Sequence, residues 1–335
     1  MLTLADQYNA HVYSPSLNRE SAVHYLQGFL TYTEGLHRLQ LDPFLQSHLL
    51  VLFSMRHIYL LCSLLFMLMG CNRLAPEERW SQPIPIVPNK HVLLLEYTGQ
   101  RCVNCPEAAE QVAYLQRGAS GAHFVAVAVH GGHLAENGER SVLGLANSDS
   151  EWLTQQAGVT GWPMGSVDGT ALSLPPSWSA SVAQQLTQPS EAKINLTSHY
   201  DATTRRLTTD VVASALLEDC VFSLFLVEDG IPSLQYLSNG RRTLDYVHRH
   251  VLRQILTPRQ GVAVAHHTNS QTSWQHTVTL PTAYGLLANA PSLQAKYPQL
   301  LVQPERLHLV GFVVHRPTGR VLEVQTIKVL SDTPE

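Results

Sequence analysis

The sequence predicts an α/β domain followed by an all-β, sandwich-like domain. An apolar strand over 91–97, a helix over 106–116 and a second apolar strand over 124–129 indicate the first domain, because this order is typical of buried parallel strands. Further along the chain, short apolar segments alternate with turn residues, which favours a β-sandwich. We therefore place the two domains at 90–189 and 190–335.

Turn and helix signals predict the remainder of the α/β domain. A long loop over 131–150 leads to a helix over 151–157. The dipeptide Trp162-Pro163 then precedes a short strand, and a last helix covers 178–186. These elements complete the first domain.

The second domain is predicted from its strand-like segments and their turns. Pro317-Thr318-Gly319 is a compact hairpin connection, since Pro presets one turn dihedral and Gly relieves another. The stretch 241–256 is interpreted as a helix inserted among the strands. The predicted strands cover 194–200, 207–216, 221–228, 261–267, 274–280, 307–315 and 320–330.

Composition and charge exclude several function classes. The 335 residues are 44% hydrophobic and 14% charged, which supports a folded core, and the net charge is -4. Basic residues cluster only as the pairs Arg205-Arg206 and Arg241-Arg242, so the chain lacks the charge pattern of a nucleic-acid binder. The sequence also has no Ser-His-Asp order, nucleotide loop or paired carboxylates. Hydrolase and kinase functions have no support, and we expect no cofactor.

An apolar run precedes both domains. Met55-Arg56-His57 has the basic character of a signal peptide start, and the run over 58–70 is too short for an ordinary membrane span. The run ends in Leu68-Met69-Gly70-Cys71, which resembles a bacterial lipobox, the site where a cysteine is acylated. We predict a lipoprotein signal peptide over 55–71 with lipidation at Cys71. An ordinary membrane anchor or an uncleaved signal is the alternative.

The segments on either side of this run follow from the same interpretation. A signal of this type works from the start of a chain, so we interpret residues 1–54 as an over-called start or an unstructured extension. Residues 72–89 contain four prolines and two adjacent glutamates, a composition that stays extended. We predict that this second segment is a tether.

Cys102 and Cys105 form a C-x-x-C motif between the first strand and the first helix. The helix macrodipole and its free N–H groups stabilise a thiolate, so Cys102 is the predicted nucleophile, with Arg101 adding positive charge beside it. Cys105, one turn further and more buried, is predicted to resolve a mixed disulfide. A structural disulfide and half of a zinc site are the alternatives, although zinc would require a second C-x-x-C.

Together with its neighbours, this motif resembles the thioredoxin superfamily. The resemblance implies that Glu96, at the end of the first strand, moves protons to and from the resolving cysteine. It also implies a cis peptide bond before Pro163, which leaves the backbone of Trp162 open to pair with a peptide. The chain departs from the superfamily where Arg101 replaces the usual tryptophan and Val-Asn replaces Gly-Pro, which leaves the redox direction open.

A more specific resemblance covers most of the chain after Cys71. The lipobox, the segment 95–99, the C-x-x-C-Pro sequence and the terminal segment 321–324 are similar to an outer-membrane lipoprotein family of Bacteroidales related to a twenty-eight-kilodalton outer membrane protein. This resemblance implies a lipid-anchored protein at the outer membrane, facing the periplasm or the surface. The family is linked loosely to adhesion and supplies no established substrate.

The other candidate residues are interpreted as structural. His130 and His133 flank two glycines, and we expect both imidazoles to be solvated, with no metal site. His248 is expected to be exposed or half-buried. Cys220 precedes an apolar strand and is expected to be an unpaired core residue.

Two functions follow from this sequence. The first is a membrane-tethered thioredoxin-like thiol–disulfide oxidoreductase that acts on the thiols or disulfides of exported proteins. Cys102 attacks, Cys105 resolves, Glu96 shuttles a proton, and Arg101 and Trp162-Pro163 contact the substrate. The alternative is a non-enzymatic surface-binding or adhesion lipoprotein, in which the β domain holds a host or cell-surface ligand and the disulfide is structural.

Overall fold

A computed structural model describes residues 90–118, 121–266 and 270–330 of the chain. The predicted extension over 1–54, the signal peptide over 55–71 with its lipidation site Cys71, and the tether over 72–89 lie outside the described residues.

The first part of the described chain is the expected strand-helix-strand unit. Strand β1 (Val92–Thr98) leads into helix α1 (Cys105–Arg117), and strand β2 (Phe124–His130) follows. The two strands pair in parallel, with Val92 opposite Phe124, and both are buried along almost their whole length. Continuous apolar sequence forms such strands because both of their faces are covered.

Two more helices and one strand follow β2. Helix α2 (Ser148–Gln156) begins at Asn147, whose side chain accepts hydrogen bonds from two backbone N–H groups of the first turn. Strand β3 (Met164–Val167) pairs antiparallel with β1, and helix α3 (Trp178–Leu186) comes after it. The predicted helices over 151–157 and 178–186 are therefore confirmed, α2 beginning three residues earlier than expected.

The remainder of the described chain is mainly β-structure. The prediction of an α/β region followed by a β-rich region is confirmed. Its elements are β4 (Ala192–Asp201), β5 (Arg206–Ala215), β6 (Cys220–Glu228), β7 (Ile231–Tyr236), β8 (Arg242–His248), β9 (Val251–Ile255), β10 (Val262–Ala263), β11 (Thr272–Thr279), α4 (Pro291–Lys296), β12 (Leu307–His315) and β13 (Arg320–Lys328).

The helix predicted over 241–256 is wrong, because this stretch forms strands β8 and β9. Strand β9 fills the position between β6 and β2 in the main sheet, where its apolar residues Val251 and Leu252 are fully buried. Strand β8 pairs with β7 as a two-stranded ribbon, which we call the covering ribbon (residues 231–248). Tertiary pairing therefore decides the conformation of a segment that has no clear strand alternation.

The main sheet contains strands from both predicted domains. Its order is β13-β12-β6-β9-β2-β1-β3, with β10 paired to β6. The link between the two sequence regions is β9, which is antiparallel to β6 and parallel to β2. The boundary predicted near residue 189 lies between α3 and β4, and the sheet continues across it. Independent folding of residues 190–335 stays a prediction.

Each face of the β6-β12-β13 part of this sheet is covered by a different layer. The three-stranded sheet β11-β5-β4 packs on one face through Leu196, Leu207 and Val211. On the other face, Val310 and Val324 belong to the same apolar cluster as residues of β1 and β2. Burying each such side chain contributes about 1.5–3 kcal/mol, so the packing of these layers stabilises the fold.

The two ends of the main sheet approach each other. The backbone N–H of Val321 in β13 donates to the carbonyl oxygen of Asp168, just after β3, over 3.0 Å. Lys90 is also buried there, and its Nζ lies 3.0 Å from Asp168 Oδ2 and 3.1 Å from the carbonyl oxygen of Leu322. Asp168 in turn accepts a hydrogen bond from the N–H of Leu93. This buried pair ties β1, β3 and β13 together.

Candidate functional site

Cys102 and Cys105 form a disulfide at the start of helix α1. Their Cα atoms are 5.4 Å apart. The backbone turn between β1 and α1 holds the pair, since the N–H of Cys102 donates to the carbonyl oxygen of Gly99 and the N–H of Cys105 donates to that of Cys102. The expected position of the motif, in the turn that begins the first helix, is therefore confirmed.

Both cysteines are buried, with exposed fractions of 3% for Cys102 and 2% for Cys105. The two exposures are almost equal, whereas the sequence predicts that Cys105 is the more buried of the two. The covering ribbon explains the difference. The Gln235 side-chain amide donates to the carbonyl oxygen of Cys102 over 2.9 Å, and the N–H of Tyr236 donates to the carbonyl oxygen of Gln100 over 2.8 Å.

Glu96 is a buried acid close to this turn. It lies near the end of β1, opposite Ala128 of β2 and Gly165 of β3, and it is 4% exposed. Its Oε1 has no hydrogen-bond partner among the described residues. Burial raises the pKa of Glu96 to about 8, so the carboxyl holds its proton at neutral pH and can lose it within a physiological range.

A cavity of about 270 Å³ connects Glu96 with the disulfide. Helix α1 and the ends of β1 and β2 form one wall, and the covering ribbon with the turn after it forms the other. Cys105 lines this cavity together with Glu96, whereas Cys102 does not. Cys105 and the buried acid therefore line the same cavity.

Two buried histidines occupy the wall of this cavity. His130 Nε2 lies 3.3 Å from His248 Nδ1, and His248 Nε2 lies 3.1 Å from the carbonyl oxygen of Leu234. A carbonyl oxygen can only accept, so the neutral His248 carries its proton on Nε2 and its Nδ1 accepts from His130. The His130 ring also interacts with the backbone of Ala128 through a hydrogen bond, which raises the pKa of His130 and so acts against the effect of burial.

Burial keeps both imidazoles neutral. It lowers the pKa of His248 to about 4 and that of His130 well below its ordinary value. The nearby positive charge of Arg253 and the mutual repulsion of the two rings act in the same direction on the pKa of His130. The expectations of a solvated His130 and of an exposed or half-buried His248 are therefore wrong, since these side chains are 2% and 5% exposed.

Arg101 is paired with a residue of the long loop after β2. Its Nε lies 2.7 Å from Glu136 Oε1, and its N–H donates to the carbonyl oxygen of Leu134. The charge of Arg101 is therefore largely neutralised locally and contributes less to the Cys102 sulfur than its sequence position suggests. The half-exposed guanidinium remains at the surface beside the disulfide turn.

The Trp162–Pro163 peptide bond is cis, as predicted. Met164, the next residue, pairs with Tyr97 at the end of β1, which brings the loop to the edge from which the disulfide turn leaves. The Trp162 ring packs edge-on against His133, with ring centres 4.8 Å apart. Pro163 is buried and Trp162 is half-buried. This loop therefore lies at the same end of β1 as the cysteine pair.

The residues from the covering ribbon could not be found from the sequence. Gln235, Tyr246 and His248 line the cavity but lie far along the chain from the motif they cover, Gln235 being 133 residues after Cys102. No local motif marks them, and the sequence pattern predicts a helix over part of this stretch.

Cys220 behaves as predicted, being buried and unpaired. Within the described ranges, no group of three His, Cys, Asp or Glu residues is placed to hold a metal ion.

Comparison with known proteins adds a family to this geometry. Residues 150–290 match the family described as outer membrane protein Omp28. The matched region, fewer than half of the 335 residues, is similar to the Omp28 family. The resemblance expected from the sequence is thereby confirmed, and the Omp28 family places the chain at the outer membrane. No helix within 90–118, 121–266 or 270–330 has the length and apolar character to cross a membrane.

Two solved structures from Porphyromonas gingivalis are similar to the chain. HBP35 is 15% identical with a TM-score of 0.56, over 75% of this chain and 80% of HBP35. A domain of the outer membrane lipoprotein Omp28 is 17% identical with a TM-score of 0.28, over 42% of this chain and 95% of that domain. The similarity to HBP35 shows a shared fold. No curated protein matches the chain.

Proposed function

We propose that the chain is a lipid-anchored, thioredoxin-like thiol–disulfide oxidoreductase of the outer membrane that acts on exported proteins. Cys102 attacks a substrate disulfide, Cys105 resolves the mixed disulfide and Glu96 carries the proton. Arg101 and the Trp162-Pro163 loop contact the bound peptide.

The order of elements supports the thioredoxin-like assignment. A parallel β1-α1-β2 unit is followed by α2, an antiparallel β3 and α3, with the cysteine pair before α1 and a cis-proline before β3. This order matches the superfamily resemblance of the sequence. The similarity to HBP35 covers 75% of the chain, a span longer than the α/β part alone, so the shared fold includes strands of the β-rich part.

The observation that carries the redox proposal is the shared cavity of Glu96 and Cys105. Cys105 must lose a proton before its sulfur can attack a mixed disulfide on Cys102. A carboxyl with a pKa of about 8 suits this role, because an acid–base group works best when its pKa is near the operating pH. An inert structural disulfide has no use for a buried, unpartnered acid beside it.

A protein substrate must also reach Cys102. The Gln235 side chain and the N–H of Tyr236 are bonded to the disulfide turn, so the covering ribbon has to release these two contacts before a peptide can lie over the sulfur. Each such hydrogen bond contributes about 0.5–1.5 kcal/mol, which thermal motion can overcome.

Trapping of mixed disulfides tests the proposal. A Cys105→Ser variant of the full-length protein should accumulate covalent adducts with exported proteins through Cys102, since nothing resolves them. The Cys102→Ser variant should accumulate none, and Cys220→Ser should behave like the unmodified protein because Cys220 is buried and unpaired. Adduct levels equal to those of the Cys102→Ser variant would contradict the redox function.

A second function is favoured by the burial of both cysteines. A disulfide between two buried cysteines can stabilise the fold without taking part in exchange. The protein would then bind a host or cell-surface ligand through its β-rich part. Such a disulfide would have a reduction potential below about -300 mV, as structural disulfides in secreted proteins do. A measured potential in that range, without trapped partners, would favour this binding or adhesion function.

The lipid anchor at Cys71 is part of the proposal. The apolar run before it is too short to anchor a protein firmly by itself, so Cys71→Ala should release the protein from the membrane fraction. Mass spectrometry of the native N-terminus should find an acylated cysteine. An unchanged membrane fraction together with an unacylated N-terminus would contradict lipidation.

A further inference from the structure

The cavity beside Cys105 has the features of a ligand site. Glu96, which lines it, is 4% exposed, and its Oε1 has no hydrogen-bond partner among the described residues. An unpaired buried polar atom is costly, and a bound molecule that pairs with it recovers this cost. The neutral Glu96 can donate a hydrogen bond, so the interior suits a small molecule with an acceptor group.

Charged residues line the exposed part of the cavity. Glu110 projects from helix α1, and Arg249 lies on the turn between β8 and β9. Both are exposed, and among the described residues neither has an ion-pair partner. One free carboxylate and one free guanidinium complement the ammonium and the carboxylate of an amino acid.

Cys105 lines the same cavity while Cys102 does not. A small molecule in the cavity therefore meets the disulfide from the Cys105 side. In thiol–disulfide exchange the sulfur with the lower thiol pKa leaves more readily. Cys102 precedes the N-terminus of α1, where thiolate is stabilised, so attack on Cys105 with release of Cys102 is the favoured direction.

We infer that the cavity binds a small zwitterionic thiol, of the class of cysteine, which reduces the disulfide by attack on Cys105. This inference rests on the proposed function and adds the reductant to it. The thiolate of the first molecule forms a bond to Cys105 Sγ, the Cys102–Cys105 bond breaks, and Cys102 leaves as a thiolate. A second thiol attacks the sulfur of the bound molecule and releases a small disulfide. Cys105 then takes up a proton, and two small thiols have been oxidised for one protein disulfide reduced.

The test compares four thiols as reductants of the oxidised full-length protein. L-cysteine carries both charges, cysteamine lacks the carboxylate, 3-mercaptopropionate lacks the amine, and 2-mercaptoethanol lacks both. Rates are followed by acid quench and alkylation, and each is normalised to the rate of the same thiol with an uncharged model disulfide. L-cysteine should exceed 2-mercaptoethanol by about tenfold or more, since hydrogen bonds between charged groups are stronger than those between neutral ones. Equal normalised rates would overturn the inference.

Two surface variants serve as matched controls. Arg249→Gln should lower the L-cysteine rate to about that of cysteamine, and Glu110→Gln should lower it to about that of 3-mercaptopropionate. Neither variant should change the 2-mercaptoethanol rate, which separates recognition from an effect on folding. A similar fall with all four thiols would contradict the assigned contacts.

The position of the adduct supplies an independent readout. Rapid quenching of the reaction with L-cysteine should yield protein with the cysteinyl group on Cys105 and a free thiol on Cys102. A cysteinyl group on Cys102 would overturn the inference. If exported proteins are trapped on Cys105→Ser while the thiols show no charge preference, the inference fails and the oxidoreductase function stands. If L-cysteine reacts as expected but no protein is trapped, the proposed action on exported proteins is contradicted and the inference about the small thiol stands.

Discussion

The side-chain amide of Gln235 donates a hydrogen bond of 2.9 Å to the carbonyl oxygen of Cys102, 133 residues earlier in the chain. Gln235 is itself buried and also donates to the carbonyl oxygen of Tyr236. The residue therefore holds the covering ribbon against the disulfide turn. We expect access to Cys102 to depend on this contact.

Removing the contact should expose the disulfide. Gln235→Ala is expected to raise the rate of disulfide reduction by a bulky dithiol roughly five- to tenfold, since a lost hydrogen bond of about 1–1.5 kcal/mol favours the open ribbon. Reduction is followed by quenched alkylation. Gln275→Ala is the control, because the Gln275 amide bonds Asp210 on the separate three-stranded sheet. Equal rates in both variants would show that Gln235 does not limit access.

Lys90 and Asp168 form a buried ion pair, and we expect the loss of one partner to destabilise the fold more than the loss of both charges. Lys90→Met leaves the Asp168 carboxylate buried without its partner, and this should reduce the free energy of unfolding by about 3–5 kcal/mol at neutral pH. The double variant with Asp168→Asn removes the charge as well and should recover most of the loss. Asparagine also tolerates the positive φ of 48° at this position. Denaturant unfolding measures both, and a double variant as unstable as the single one would contradict this account.

The sequence predicts local elements and the motif well, because both are encoded within short windows. Apolar runs and helix signals locate β1, α1 and β2, and the spacing of Glu96, Cys102 and Pro163 identifies the turn that carries the cysteine pair. The packing of the covering ribbon on that turn could not be predicted from the sequence. Residues 231–248 touch it only through pairing set by the whole main sheet, and they carry no chemical motif of their own. The burial of His130 follows from the same distant contact.

Glu96 should make stability depend on pH. Its pKa is raised from 4.5 to about 8 on folding, so the folded protein keeps a proton that the unfolded chain releases between these values. The free energy of unfolding therefore falls as pH rises through this window, by an amount on the order of 5 kcal/mol. The free energy of unfolding of the Glu96→Gln variant should lack this pH-dependent contribution. Denaturation at pH 5 and pH 9 should show the variant gaining stability relative to the unmodified protein at the higher pH, and a constant difference would contradict a buried acid.

Cleavage near residue 189 tests the predicted domain boundary. If 190–335 folds by itself, limited proteolysis between α3 and β4 should leave a stable C-terminal fragment. The strand pairing of β9 with both β2 and β6 instead predicts that the cleaved halves stay associated and unfold in one transition. Size-exclusion chromatography and thermal unfolding of the nicked protein distinguish the two results.

The central claim is that Cys102 and Cys105 are chemically different thiols, as a redox pair requires and a structural disulfide does not. In reduced protein, the helix N-terminus should lower the pKa of the Cys102 thiol below the free value of about 8.5, into the range of roughly 3.5–7.5, while that of Cys105 should not fall. The most direct measurement is alkylation of the reduced protein at pH 6, with the label located by mass spectrometry. Cys102 should be labelled well before Cys105. Equal, slow labelling of both cysteines would contradict the catalytic assignment, leave the fold intact and favour the surface-binding function.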